Sequence, residues 1–218
     1  LADLGYLSGG VDGIYGKQTT EAVSLFQTFN GMTVTGEADE GTQAAVFSAQ
    51  AVELPETLER DDEGEDVQRL QERLVFLGFL DDEADGKYGK NTENAVEDYQ
   101  EHLIAQGVEQ VSATGTATGV TQFYLFDEER STYIKDLRQG DEDGEVRRLE
   151  RRLQALGYLD DVPDEYFDEY TDSVVRAFQD AAGLDVTGVI DEATVDALFA
   201  SDAPVADRFV AHDVHSGD

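Results

Sequence analysis

Apolar residues recur along the chain in registers that predict helices. Val67, Leu70, Leu74 and Leu77 are spaced by 3, 4 and 3, which puts them on one helical stripe. Val146, Leu149, Leu153 and Leu156 repeat that stripe. Gly78 and Gly157 follow directly, where a helix ends on a left-handed residue. Runs of the form Ala-Val-x-x-aromatic-Gln predict a second helix, at Ala22 to Gln27, Ala95 to Gln100 and, with Val in the first place, Val174 to Gln179. Gly31 and Gly183 follow two of these runs. A third, short helix is predicted from Thr42, Thr121 and Thr194, after a Val-Thr-Gly turn in the first and last cases. Pro55, Pro163 and Pro204 all fall near predicted edges. The expected fold class is all-α, built as tandem three-helix bundles.

The same elements recur in order, so the chain is read as an internal repeat. Leu4-Gly5-Tyr6-Leu7 returns 73 residues later as Leu77-Gly78-Phe79-Leu80, and 79 residues after that as Leu156-Gly157-Tyr158-Leu159. Gly31 to Gly36 aligns with Gly183 to Gly188 at an offset of 152. The second copy carries about six extra residues near Ile104 to Val111. The expected units are 1–47, 58–126 and 133–200, with a tail at 201–218 and linkers near 48–57 and 127–132. The first unit has no counterpart of residues 58–73, so the apolar faces of its other helices are left partly uncovered. Such a face offers self-association or the docking of another chain. The sequence starts at Leu1, inside a unit, and reads as a piece of a longer protein.

Composition narrows the partners. With 15 Lys+Arg against 49 Asp+Glu the chain carries a formal charge of −34, which argues against nucleic acid and anionic membranes. Hydrophobic residues at 40% still suffice for packed cores. No apolar run approaches the roughly 18 residues of a membrane span, so no membrane insertion is expected. The absence of cysteine excludes disulfides and thiolate chemistry.

With these residues in place, the chain resembles the type 1 peptidoglycan-binding domain, a three-helix module of bacterial and phage cell-wall hydrolases. The second unit carries its pattern in Gly64, Val67, Leu70-Gln71, Leu74, Leu77-Gly78-Phe79, Asp85-Gly86, Tyr88-Gly89, Thr92, Ala95-Val96 and Tyr99-Gln100. The third carries Leu137, Gly140, Gly144, Val146, Leu149, Leu153 and Leu156-Gly157-Tyr158. The resemblance implies a non-catalytic role at the extracellular cell wall, with peptidoglycan or its fragments as partner and no cofactor. Two other readings stay open: a protein–protein scaffold, and the targeting region of a hydrolase whose catalytic domain lies outside these residues.

The candidate ligand-binding residues are Asp12, Tyr15 and Thr19, with Asp85, Tyr88 and Thr92 at the matching places. Asp-Gly favours a tight turn, Gly16 and Gly89 are expected to take positive φ, and the threonines to bond back to the aspartates. Tyr15 and Tyr88 would offer aromatic faces to sugar C–H groups beside a shallow groove. In the third unit Glu165 and Asp168 replace both glycines, which predicts a different backbone path or strain. Asp81 to Gly86 opens like a calcium loop, but Thr92 stands where a bidentate Glu is required. Around Gly144, Asp141, Asp143 and Glu150 fit that template while Gln139 takes its first place, so no metal site is expected. His102 is expected on the polar side of its helix, and His212 and His215 in a frayed tail. No catalytic constellation is recognised.

Overall fold

A computed structural model describes residues 1–7, 11–128 and 130–206. The helices within these residues are α1 (Lys17–Phe29), α2 (Glu40–Val46), α3 (Glu65–Phe76), α4 (Lys90–Ala105), α5 (Gly119–Leu125), α6 (Gly144–Ala155), α7 (Glu169–Ala181) and α8 (Glu192–Phe199). The fold is all-α: among the described residues the β pairings are isolated bridges, such as Leu58 with Ala117 and Leu137 with Ile190. The second and third repeats each have three helices, and the first has two.

The predicted stripes are the cores. Val67, Leu70 and Leu74 on α3 meet Val96, Tyr99 and Leu103 on α4 and Leu125 on α5. Val146, Leu149 and Leu153 on α6 meet Val175 and Phe178 on α7 and Leu198 on α8. Each large apolar side chain sealed this way contributes about 1.5–3 kcal/mol. The first repeat has a smaller core of Tyr6, Ala22, Phe26 and Leu54.

Helix ends follow from single residues. Gly78 has φ 82°, and its N–H bonds to Val75 O while Phe79 N–H bonds to Leu74 O, which terminates α3 in a paired C-cap. Gly157 and Tyr158 repeat this geometry on Gln154 and Leu153. The short third helices are started by the side chains of Asp39, Thr118 and Asp191, which accept from the N–H of Thr42, Thr121 and Thr194. Each such cap contributes about 1 kcal/mol.

A buried glutamine then fixes the turn before each cap. Gln27 Oε1 accepts from Thr35 and Gly36 N–H, at 2.9 Å each, while Nε2 donates to Glu37 O and Thr42 Oγ1. Gln100 holds Thr114, Gly115, Thr116 and Thr121 in the same way. Gln179 does so with Thr187, Gly188, Val189 and Thr194. The Phe-Gln or Tyr-Gln pairs of the sequence are therefore a ring in the core followed by an amide clamp.

The repeats pack on one another. Phe29 of α1 lies 4.2 Å, centroid to centroid, from Phe123 of α5, and Leu54 between them is buried. At the next junction Arg152 stacks 4.3 Å over Phe76, and Phe76 meets Phe199 edge-on. Arg148 is fully enclosed there, donating to Leu77 O, to Thr132 O and to Glu145. The segments read as linkers thus carry buried residues, Leu54 and Thr132.

Candidate functional site

The loop entering the second helix of each repeat is built around one aspartate. Asp12 Oδ1 accepts from Ile14 N–H at 2.8 Å, Asp85 Oδ1 from Lys87 N–H at 2.9 Å, and Asp164 Oδ1 from Tyr166 N–H at 2.6 Å. These local turns hold Asp85 below the usual carboxylate range, chiefly through the Lys87 N–H and then the Gln71 amide. Positive φ falls on Gly13 and Gly86, at 76° and 74°, whereas Gly16 and Gly89 are extended helix N-caps. The expectation for Gly16 and Gly89 is corrected accordingly. Steric freedom is needed one turn earlier, where the chain reverses.

The threonines also differ from expectation. Thr19 Oγ1 donates to Ile14 O at 3.2 Å, and Thr92 Oγ1 accepts from Gln71 Nε2 at 2.9 Å; neither bonds its aspartate. Gln71 is the centre of the second loop. Its Oε1 accepts from Gly86 N–H at 2.8 Å, and its Nε2 is shared among Asp85 Oδ1, Lys87 O and Thr92 Oγ1.

The two tyrosines part company. Tyr88 is 1% exposed, and its hydroxyl donates to Gly115 O at 2.7 Å. Burial raises the pKa of that hydroxyl. The covering segment is 58–63: Tyr88 N–H bonds to Asp62 O, and Tyr88 O accepts from Asp61 N–H. Tyr88 therefore has no ring face to offer. Tyr15 is 53% exposed, with its hydroxyl donating to Gly36 O and accepting from Ala38 N–H. It borders an open groove of about 380 Å³ with Leu7, Val11 and Ile14. No described residue covers it in the way that 58–63 covers Tyr88.

In the third repeat Glu165 takes no positive φ, since Asp61 is the one non-glycine with positive φ among the described residues. The loop follows a different, unstrained path, and Asp168 caps α7 with its own side chain on Thr171 N–H at 2.8 Å. Glu150 stands where Gln71 stands. Its carboxylate accepts from Asp164 N–H at 2.8 Å and from Thr171 Oγ1 at 2.5 Å. Burial pushes Glu150 up to about 7, and Asp164 and Asp168 add to the shift. The adjoining cavity is about 20 Å³, room for a water and not for a substrate.

His102 is not solvated. It is 4% exposed, and its Nδ1 lies 3.1 Å from Glu145 across the junction of the second and third repeats. Burial lowers its pKa, with Glu145 opposing that shift. Sequence reasoning missed it because the burial comes from the neighbouring repeat. Gln71 stood in the family pattern, but its exchange for Glu150 passed unnoticed. His212 and His215 lie outside the described residues. Among the described residues no group of three or more His, Cys, Asp or Glu is arranged to hold a metal ion. None of their helices is long and apolar enough to cross a membrane.

Firmly tied loops set on small packed bundles make the chain a tandem array of helical modules. The family described as "Putative peptidoglycan binding domain" matches residues 1–46, 63–103 and 142–198, and the chain belongs to that family. It is also similar to the N-acetylmuramoyl-L-alanine amidase CwlM of Mycobacterium tuberculosis (strain ATCC 25618 / H37Rv), with 35% identity over 101 residues. That match covers 44% of this chain and 25% of the amidase, so the chain spans about a quarter of its relative.

Proposed function

We propose that the chain is the non-catalytic wall-anchoring part of an exported bacterial protein, holding peptidoglycan while a separate domain does the chemistry. Three family matches along one chain carry this reading. The packed junctions support it, because they hold the repeats at fixed spacing and let weak sites act together. Within the loops, Tyr15, and Tyr166 one place before the buried Phe167, have rings open to sugar. Asp12, Thr19, Asp85 and Thr92 act by holding loop shape, and Tyr88 from inside the core. The likeness to an amidase favours a wall hydrolase as the parent protein, with this region as its targeting part.

Co-sedimentation with purified peptidoglycan tests the reading. The full chain is expected to pellet, and more of it at higher salt, because a −34 chain is repelled by an anionic wall. A chain that stays in the supernatant at every salt and divalent-ion concentration overturns the assignment. Tyr15→Ala is expected to reduce pelleting severalfold, whereas Tyr15→Phe, which loses the hydroxyl bonds to Gly36 and Ala38 but keeps the ring, is expected to keep most of it.

A further inference from the structure

A cleft of about 480 Å³ lies between the second and third repeats and touches the third loop only at Glu165. Its two walls differ in chemistry. One is a single stripe of α4, where Asp98, Glu101 and His102 stand at i, i+3 and i+4. The other is the first turns of α6, which present Arg147 and Arg151. That wall also carries Lys135, Asp143, Glu145 and Glu165, so its cations stand among carboxylates, whereas the α4 wall is acidic apart from His102.

The groups on these walls are incompletely matched by the protein. Asp98 and Glu101 make no ion pair among the described residues; burial and then the Glu101 charge push the Asp98 carboxyl above its usual range, and Arg151 and Arg147 only partly offset this. His102 is 2% exposed in its side chain, lines the cleft, and has no partner at Nε2 among the described residues. Its Nδ1–H faces the Glu145 carboxylate, so Nε2 carries a lone pair and is an acceptor. Arg151 gives Nη1 to Gly78 O and Phe79 O, its Nη2 lies 3.9 Å from the exposed Asp81 carboxylate, and its buried Nε is unpartnered. Arg147 is held by Glu165 at 3.0 Å in a half-exposed pair that a competing carboxylate can displace.

We infer that this cleft binds a free amino-acid head group, with its ammonium against Asp98 and Glu101 and its carboxylate against Arg147 and Arg151. A neutral sugar satisfies neither wall, and a simple anion or cation satisfies one. The zwitterion satisfies both. Within the wall-binding reading, on which the choice of probe rests, this makes the peptide part of the polymer a ligand alongside the glycan.

Calorimetric titration of the full chain with a soluble tripeptide ending in diaminopimelate tests the inference, because the far end of that residue carries both charges on one carbon. Saturable binding is expected, weakened roughly tenfold by acetylating the ammonium and by amidating the carboxylate. The double variant Asp98→Asn, Glu101→Gln is expected to lose a similar factor while its thermal unfolding stays unchanged, since both side chains are solvent-accessible. Equal binding of the capped probes, equal binding by the double variant, or no heat at millimolar probe overturns the inference. Free diaminopimelate is the second arm: if it binds as tightly as the tripeptide, the cleft stands and its ligand is a free amino acid. A chain that pellets with peptidoglycan yet ignores the tripeptide removes the cleft and leaves the wall reading intact.

Discussion

At the same place in the fold the second repeat carries Gln71 and the third carries Glu150. The amide donates and accepts at once, so it ties Gly86 N–H, Lys87 O, Asp85 and Thr92 into one buried knot. The carboxylate only accepts when ionised, and it collects Asp164 N–H and Thr171 Oγ1. Its neighbours Asp164 and Asp168 are acidic, and among the described residues no basic group lines the cavity beside it. Two similar bundles thus differ in their response to protons. With a folded-state value near 7 against an ordinary 4.5, folded Glu150 keeps a proton that the unfolded chain releases between those values. The stability it contributes is complete below about pH 4.5 and is lost as pH rises through 7. Nothing comparable acts on Gln71.

The largest expected effect separates the repeats at their turn glycines. A Cβ on Gly78 would sit 2.4 Å from Arg148 O, whereas one on Gly157 would sit 3.6 Å from Ala206 O. Both alanine variants carry the strain of positive φ, about 1 kcal/mol. Gly78→Ala also forces the junction apart, so it is expected to lose about 3 kcal/mol in urea unfolding against about 1 for Gly157→Ala. Equal losses would show that the junction yields freely.

Next, Gln71→Glu places the chemistry of the third repeat into the second. At pH 8 it is expected to cost about 2 kcal/mol, because a carboxylate then faces Lys87 O and Asp85, and most of that is recovered at pH 5. The reverse exchange, Glu150→Gln, is expected to stabilise the chain by about 1 kcal/mol at pH 8 and by little at pH 4.5. A pH-independent difference would sink the proton-linked account of Glu150. The smallest effect concerns Tyr88, whose counterpart is the fully buried Phe167. Tyr88→Phe leaves Gly115 O without its hydroxyl donor and is expected to lower stability by about 0.5–1 kcal/mol.

How much was legible from sequence follows from how local each feature is. The stripes of α3 and α6 and the C-caps at Gly78 and Gly157 could be read, since helix periodicity and left-handed glycines depend on residues a few places apart. Asp12 and Asp85 were correctly read as turn formers for the same reason. Tyr88 was misread because its cover comes from residues 58–63, which fold back through Asp61 and Asp62. His102 was misread because Glu145 and Arg148, more than 40 positions away, close over it. Gly16 and Gly89 were credited with a freedom they do not use, as an extended N-cap admits other residues, and Asp168 takes that role in the third repeat.

The bridges at the mouths of the second and third repeats govern how the array carries load. Leu58 and Ala117 exchange two backbone hydrogen bonds, of 3.0 and 2.8 Å, and Leu137 and Ile190 exchange another two at the same lengths. Each pair ties the entrance of its repeat to a point shortly before the exit. Tension along the chain therefore crosses these fastenings and bypasses the helices between them. The stretch from Leu58 to Ala117 holds roughly 200 Å of extended chain in reserve, at about 3.4 Å per residue. A molecule fixed at one end to a swelling wall would pay out that slack one repeat at a time, each release beginning as its outer bridge unzips.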